Sequence, residues 1–220
     1  MTNDVAELHD YDALRRLTDA TLFVVHPAQR VAVLGSSQSR EVLNEERAAS
    51  TPVRRRRGGG GLVLLDPDDV WIDWWIPATD DRWRSDVRAS SIEVGDWWRQ
   101  ALSVRTNDTV TVHRGALEGD QVHRVTCFAG RGPGEVFVED RKAVGLTQWR
   151  VREGIFVSTV LPAHASSDVV SLLAEVPLGL TEALHHHTLQ SLALHDLEGL
   201  EADLSSRGGN WSVRHLLLNF

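Results

Sequence analysis

Four arginines run directly into four glycines at residues 54–61. Guanidinium groups bind carboxylates and phosphates through paired hydrogen bonds, and consecutive glycines let the backbone approach a ligand closely. No Lys-Ser or Lys-Thr follows the glycines, and the next segment is typical of a strand and not of a helix. This excludes a Walker loop and a dinucleotide-binding fingerprint. The segment predicts an anion site, although a flexible surface turn can have the same composition.

A second candidate is Lys142, which lies 81 residues after Gly61. It begins a strand-like segment that contains Gly145 and Gln148, and it follows an acidic and apolar stretch that starts at Glu135. An ammonium group is a compact cation that can stabilise charge on a carboxylate or a phosphate. A single strand lysine is ordinarily solvated, so the functional interpretation of Lys142 depends on the pattern around it.

Together the two segments resemble the signature of lipoate–protein ligases. The first, VRRRRGGGGLVLLD at 53–66, resembles the family's run of arginines, three glycines, a valine and an aspartate; the matching residues are Arg55, Arg56, Gly59, Gly60, Gly61, Val63 and Asp66. The second, EVFVEDRKAVGLTQWR at 135–150, resembles the family's Lys-x-x-Gly-x-x-Gln-x-Arg strand; the matching residues are Lys142, Gly145, Gln148 and Arg150. The resemblance covers roughly residues 20 to 162.

The resemblance implies both a fold and a reaction. The fold is α/β of the α+β type, a mixed β-sheet packed with helices like the biotin/lipoate protein ligase catalytic domain, in a short form without an accessory C-terminal domain. In the reaction, lipoate or octanoate attacks the α-phosphate of ATP, with Mg²⁺ present, and forms an acyl-adenylate. A lysine on a lipoyl-acceptor domain of a 2-oxoacid dehydrogenase or a glycine-cleavage protein then takes the acyl group.

The same resemblance assigns roles to individual residues. Lys142 is the candidate catalytic residue, acting as an electrostatic clamp and not as a nucleophile. The glycines would contact the acyl chain or the adenylate, and the arginines would hold phosphate or orient the loop. The residues predicted to contact substrate or nucleotide are Arg55, Arg56, Gly59, Gly60, Gly61, Gly145 and Gln148. No metal-binding residues are predicted, because the consecutive histidines 185–187 would point to different sides of a helix.

Two alternatives stay open. Cys127, the only cysteine, lies where some octanoyltransferases of the same superfamily have a catalytic cysteine. Such enzymes need no ATP, because a thiolate takes octanoate from acyl carrier protein. A free cysteine is more often a small buried apolar residue. The other alternative is a non-catalytic ligand-binding paralogue, because residues 156–159, Phe-Val-Ser-Thr, stand where many family members have histidine.

The elements that position these residues follow from hydrophobic periodicity and turn signals. Strands are predicted at 21–25, 30–34, 62–65, 70–76, 110–113, 122–128, 135–138, 142–148 and 154–161, and helices at 41–49 and 86–103. Strands outnumber helices and neighbours are close in sequence, which favours a mixed sheet over a doubly wound one. We expect a polar leader at 1–18, a ligase-like core at 19–165 and a helical C-terminal extension of the same domain at 166–220.

Bulk composition limits the partners. The net charge of −8 over 220 residues argues against nucleic-acid binding. A single cysteine forms no internal disulfide, which favours a reducing compartment. No stretch reaches the roughly 18 apolar residues that a membrane helix needs. The sequence therefore predicts a cytoplasmic protein without a membrane anchor.

Overall fold

The computed structural model describes residues 5–119, 124–164, 166–187 and 198–220. The helices in these ranges are α1 (Tyr11–Leu14), α2 (Val87–Ser103), α3 (Leu180–His187) and α4 (Glu198–Ser206), with 3₁₀ turns at Arg40–Val42 and Ser166–Leu172. The strands are β1 (Thr21–Pro27), β2 (Val31–Leu34), β3 (Val53–Arg55), β4 (Val63–Leu65), β5 (Val70–Pro77), β6 (Val110–Val112), β7 (Val136–Val138), β8 (Arg141–Val151), β9 (Gly154–Leu161) and β10 (Ser212–Leu218).

Within the described residues the strands form two sheets. The larger sheet has seven strands in the order β10-β1-β5-β9-β8-β7-β6, and the smaller has three in the order β3-β2-β4. Two neighbouring pairs, β1 with β10 and β2 with β3, are parallel, whereas the pairs along the rest of both sheets are antiparallel. The predicted mixed sheet is therefore confirmed.

The central strands of the larger sheet, β1, β5 and β9, are buried on both faces. Strand β5 shows this in its sequence, because alternate side chains of a strand point to opposite faces. Trp71 and Trp75 pack in a core with strand β2 of the small sheet, whereas Ile72 and Trp74 pack in a second core with helices α2 and α4. The domain thus has three layers, with the small sheet, the large sheet and the helices stacked in that order.

Helix α2 begins and ends close to the predicted bounds. The Asp86 side chain caps it by accepting hydrogen bonds from the backbone N–H groups of Arg88 and Ala89. Such a cap satisfies donors that have no partner inside the first turn of a helix. The helix buries Trp98, whose indole N–H donates to Thr159 on β9 at 2.8 Å, and this fixes α2 against the large sheet.

Three predicted elements differ in the structure. The predicted helix at 41–49 is wrong: a 3₁₀ turn at Arg40–Val42 is followed by Leu43, which bridges to Leu173 and so holds the chain extended. The predicted strand at 122–128 is wrong over 124–128, where the chain forms turns and one bridge from Leu62 to Thr126; residues 120–123 lie outside the described ranges. The predicted helical extension also contains a strand, β10, at the edge of the large sheet.

The N-terminal segment packs into the core where a polar leader was expected. Its polar residues alternate with Leu8, Tyr11 and Leu14, which are buried against the small sheet and β9. Leu8 also donates its backbone N–H to Arg55 of β3 at 2.9 Å. The described helices include none that is long and apolar enough to cross a membrane.

Candidate active site

The glycine run lies between β3 and β4 and requires glycine for two reasons. Gly60 has a φ of +96°, a conformation that other residues rarely adopt. At Gly61 a Cβ atom would lie only 2.7 Å from the backbone of Thr126. The loop is therefore pressed against the chain around residue 126, and no larger residue fits without displacing it.

A buried guanidinium group holds this loop in place. Arg56 is 4% exposed, and its Nη2 donates to the carbonyls of Gly59 at 2.9 Å and Gly61 at 2.7 Å. Its Nη1 donates to the carbonyl of Val33 on β2 at 3.1 Å. Arg55 behaves similarly and donates to the carbonyl of Gln38 at 2.6 Å. Of the two roles considered for the arginines, this geometry favours orienting the loop over holding phosphate.

Lys142 is the only lysine in the sequence and is 1% exposed. Its ammonium donates to the carbonyls of Cys127 at 2.6 Å and Gly130 at 3.0 Å. It also lies 2.5 Å from Oε1 of Glu135. An ammonium has three N–H donors, so these partners use all of them.

Glu135 is a site residue to which the sequence assigned no role. It immediately precedes β7, the strand that pairs with β8, and so faces Lys142 across a turn. Its Oε2 accepts the backbone N–H of Gly132 at 2.6 Å. Burial raises the pKa of the Glu135 carboxyl, and the positive charge of Lys142 opposes that shift. The available signal was an acidic residue seven positions before the lysine, directly before the first strand of the hairpin.

The glycine loop and Lys142 line one cavity of about 700 Å³. This volume is within the range of small-molecule sites. Gln148 also lines it, and its Nε2 donates to the carbonyl of Val87 and to the hydroxyl of Ser91 on α2, both at 2.7 Å. The structure thus brings together Gly59, Gly60, Gly61, Lys142 and Gln148, residues that the sequence predicted to share a site.

Gly145 lies in a smaller, mainly apolar cavity that adjoins the first. A Cβ atom there would lie 2.9 Å from the Phe128 ring, so glycine lets that ring pack directly on β8. Cys127 lines both cavities. It is half-buried, its Sγ lies 3.0 Å from Nη2 of Arg56, and the thiol donates to the carbonyl of Gly61 at 3.2 Å.

The larger cavity offers donors to an anion. The N–H groups of Gly59, Gly60 and Gly61 have no acceptor among the described residues, and Arg124 is also among the residues that line the cavity. Free backbone N–H groups and a fixed cation are the groups that bind phosphates and stabilise developing negative charge. The described residues contain no cluster of three histidine, cysteine or acidic side chains that could hold a metal ion.

Comparison with known proteins identifies the fold. No protein-family sequence model matches the chain, and no curated protein matches it in sequence. In structure it is similar to a lipoate-protein ligase A bound with ATP, with a TM-score of 0.67 and 14% identity over 94% of this chain and 81% of that one.

Two archaeal structures are also similar. A Thermoplasma acidophilum protein with bound lipoic acid has a TM-score of 0.64 at 13% identity, covering 96% of this chain and 82% of that one. A bipartite lipoate protein ligase from the same organism has a TM-score of 0.67 at 11% identity, covering 96% and 80%. The chain therefore has the fold of lipoate–protein ligases, as its two motifs predicted.

Proposed function

We propose that this protein activates a carboxylic acid with ATP as an acyl-adenylate and transfers the acyl group to a lysine of an acceptor domain. The observation that supports this most directly is the single cavity lined by Lys142 and by the glycine loop. Solved structures with the same fold are described with bound ATP and with bound lipoic acid. Lipoate and octanoate are therefore the first acids to test.

Each part of the cavity has a task in that reaction. The attack of a carboxylate on the α-phosphate brings two anions together, and catalysis depends on stabilising their charge. The ammonium of Lys142 meets the acid and the phosphate, while the N–H groups of Gly59, Gly60 and Gly61 bind phosphate oxygens. Because all three donors of Lys142 are occupied in this structure, a substrate anion takes the place of the Glu135 carboxylate.

Mg²⁺ and the acceptor complete the proposal. Mg²⁺ commonly binds through substrate phosphates and one or two carboxylates, which is consistent with a cavity lined by Glu118 and Glu135. One solved neighbour is described together with its E2 lipoyl domain. We therefore propose a lipoyl-acceptor domain, from a 2-oxoacid dehydrogenase or a glycine-cleavage protein, as the partner.

Pyrophosphate release tests this function. The protein is incubated with ATP, Mg²⁺ and lipoate or octanoate, and hydroxylamine traps any acyl-adenylate as a hydroxamate. Lys142→Ala should lower the rate about 100- to 1,000-fold, because losing one preorganised charge-stabilising group has that effect. Lys142→Met fills the same space without a charge and should show the same loss of rate. That result would exclude a packing defect as the cause of the loss in Lys142→Ala.

A matched control is available on the same strand. Arg141 is exposed and immediately precedes Lys142, so Arg141→Ala should keep the wild-type rate. An unchanged rate in both Lys142 variants would remove that residue from the mechanism. Lipoate binding without any pyrophosphate release would favour the non-catalytic, ligand-binding interpretation.

The position of Cys127 supports a second candidate, an octanoyltransferase. In that reaction the Cys127 thiolate attacks the thioester of octanoyl–acyl carrier protein, the carrier thiol leaves, and the acceptor lysine then displaces Cys127. The guanidinium of Arg56, 3.0 Å from Sγ, provides positive charge next to such a thiolate. Because Cys127 lines both cavities, an acyl group on Sγ would reach the apolar one.

A further inference from the structure

The basic side chains of this protein are almost all arginine. The sequence has one lysine and 22 arginines, although lysine is among the commonest residues of soluble proteins. Arg16, Arg40 and Arg47 are exposed, and their side chains make no hydrogen bond among the described residues. The fork of donors that distinguishes a guanidinium is not used at these positions, so an ammonium would provide the same charge. What arginine avoids there is a primary amine.

The two basic side chains differ in their reactivity toward an activated acid. A guanidinium keeps its proton and is not a nucleophile, whereas a lysine amine that has lost its proton attacks carbonyl carbon. Lys142 is buried, and an ammonium whose three N–H groups all donate has no lone pair with which to attack. The protein therefore offers no reactive lysine side chain to an acyl-adenylate.

The cavity that Lys142 lines is open to solvent. Leu117 and Arg124 also line it, and both are exposed, Leu117 by 68%. We call these two residues the rim of the cavity. Arg124 lies against the glycine loop, since a Cβ atom at Gly61 would be only 2.7 Å from the carbonyl oxygen of Arg124. An amine at the rim would therefore lie next to the loop that is proposed to bind phosphate.

We infer that the acyl-adenylate is open to amines at this rim, and that the exclusion of accessible lysine keeps the protein from acylating itself. The inference rests on the proposed function and identifies the place where an acceptor amine enters. The free amine attacks the acyl carbonyl carbon, the bond from that carbon to the phosphate oxygen breaks, and AMP leaves with the electron pair. The amine then loses a proton to water, and an amide remains. Arg124 provides positive charge at the rim without competing as an acceptor.

A lysine placed at the rim should become an acceptor within the same chain. Arg124→Lys keeps the positive charge and introduces an amine. The variant is incubated with ATP, Mg²⁺ and octanoate or lipoate, without any acceptor domain, and mass spectrometry of its peptides locates each amide. Pyrophosphate release is measured in the same samples, so that amide is expressed per adenylate formed. We expect an acyl amide at position 124 and no acylated lysine in the wild-type protein.

Two further variants separate the rim from the rest of the surface. Arg47→Lys is the matched control, because Arg47 is exposed and lines neither cavity. Amide per pyrophosphate should be at least about tenfold higher in Arg124→Lys, since an amine tethered at the rim has a high effective concentration. Leu117→Lys places the amine at the second rim position and decides the matter if Arg124→Lys releases no pyrophosphate.

Two properties of the product identify the attacking group. Only the free amine attacks, so amide per pyrophosphate in the rim variants should rise about tenfold per pH unit below the pKa of lysine. The amide also resists hydroxylamine, which removes an acyl group from a cysteine thioester. An increment that hydroxylamine removes would place the acyl group on Cys127 and contradict attack by the rim amine.

The outcomes distinguish this inference from the function on which it rests. Rim variants that release pyrophosphate but carry no amide would overturn the inference and leave carboxylate activation standing. Equal acylation of Arg47→Lys and Arg124→Lys would also overturn it, because the amine would then meet the adenylate away from the rim. Wild-type protein that releases no pyrophosphate with either acid would overturn the proposed function, and the inference with it.

Discussion

Two buried cations line the adjoining cavities, Arg56 the smaller and Lys142 the larger, and their partners differ. Arg56 donates to backbone carbonyls of the glycine loop and of β2 and to the thiol of Cys127, and no carboxylate contacts it among the described residues. Lys142 donates to two backbone carbonyls and to the carboxylate of Glu135. Both residues belong to the motifs that revealed the fold, and both are almost fully buried.

The difference indicates which cation is free to act. The planar guanidinium has five donors in a fixed fork, which suits a group that holds several carbonyls permanently. A carboxylate partner, in contrast, can be exchanged for another anion of similar chemistry. We therefore interpret Arg56 as the support of the loop and Lys142 as the group that meets substrate.

The largest expected effect is on stability, and it tests the interpretation of Arg56 as the support of the loop. Arg56→Ala removes the guanidinium donor from the carbonyls of Val33, Gly59 and Gly61, although Gly59 keeps the Thr147 hydroxyl and Gly61 keeps the Cys127 thiol as donors. A hydrogen bond from a charged group contributes about 1.5–3 kcal/mol, so the loss of these bonds should lower the free energy of unfolding, measured by urea denaturation, by at least about 3 kcal/mol. Arg54→Ala is the matched control in the same run, because Arg54 is half-buried and stacks on Phe220 near the surface. A loss in Arg56→Ala no larger than in the control would contradict the supporting role.

The parts of this site that the sequence could predict are those that depend on local interactions. The glycine loop, Lys142 and the alternation along β5 were predictable, since each depends on a short pattern. The pairing of His9 with Asp73 was not, because it joins segments 64 residues apart whose register only the fold determines. Strand β10 was missed because it is an exposed edge strand with no buried face to give a period-2 signal.

The wrong prediction of a helix at 41–49 has a similar cause. Its sequence has the cap and composition of a helix, and Ser39 does accept a hydrogen bond from the backbone N–H of Glu41. The chain nevertheless turns after Val42, because Asn44 donates to the carbonyl of Leu172 and Ala174 donates to that of Val42. Contacts with a segment about 130 residues away thus override a local helix preference.

A smaller effect tests whether Glu135 is exchanged for substrate. Glu135→Gln keeps the shape and an oxygen acceptor but removes the competing charge, so the dissociation constant for the carboxylate should fall about tenfold, equivalent to roughly 1.4 kcal/mol. Equilibrium binding measured by calorimetry gives this value directly. If Glu135 only supports the fold, the Glu135→Gln variant should be less stable, and its affinity for the carboxylate should be unchanged or weaker.

The same variant gives a pH signature. Burial raises the pKa of Glu135 above that of an ordinary carboxyl, so falling pH neutralises Glu135 while the substrate acid is still ionised. Wild-type affinity for the carboxylate should therefore increase as pH falls, and Glu135→Gln should show no such increase. An identical pH profile in the two proteins would exclude competition by the Glu135 charge.

The smallest expected effect concerns Cys127, which contacts both Arg56 and Lys142. Its thiol contacts Arg56, and its carbonyl accepts from Lys142. In the ligase reaction the adenylate phosphate is the leaving group and no thioester forms. Cys127→Ala and Cys127→Ser should therefore keep ATP-dependent activity, because both preserve the backbone carbonyl that Lys142 binds.

Intact-mass spectrometry after mixing the protein with octanoyl–acyl carrier protein decides between the two reactions. Cys127 is the only cysteine and Lys142 the only lysine, and Lys142 is buried, so a stable octanoyl increment on the wild-type chain would point to Cys127. We expect no mass increment, because the Cys127 thiol donates a hydrogen bond to the Gly61 carbonyl within the loop that Arg56 supports. An increment that is absent from Cys127→Ala would instead make Cys127 the nucleophile. The contact between Arg56 and Sγ would then have a catalytic role. That result would contradict the interpretation of Arg56 as a support of the loop alone and of Lys142 as the cation that meets substrate.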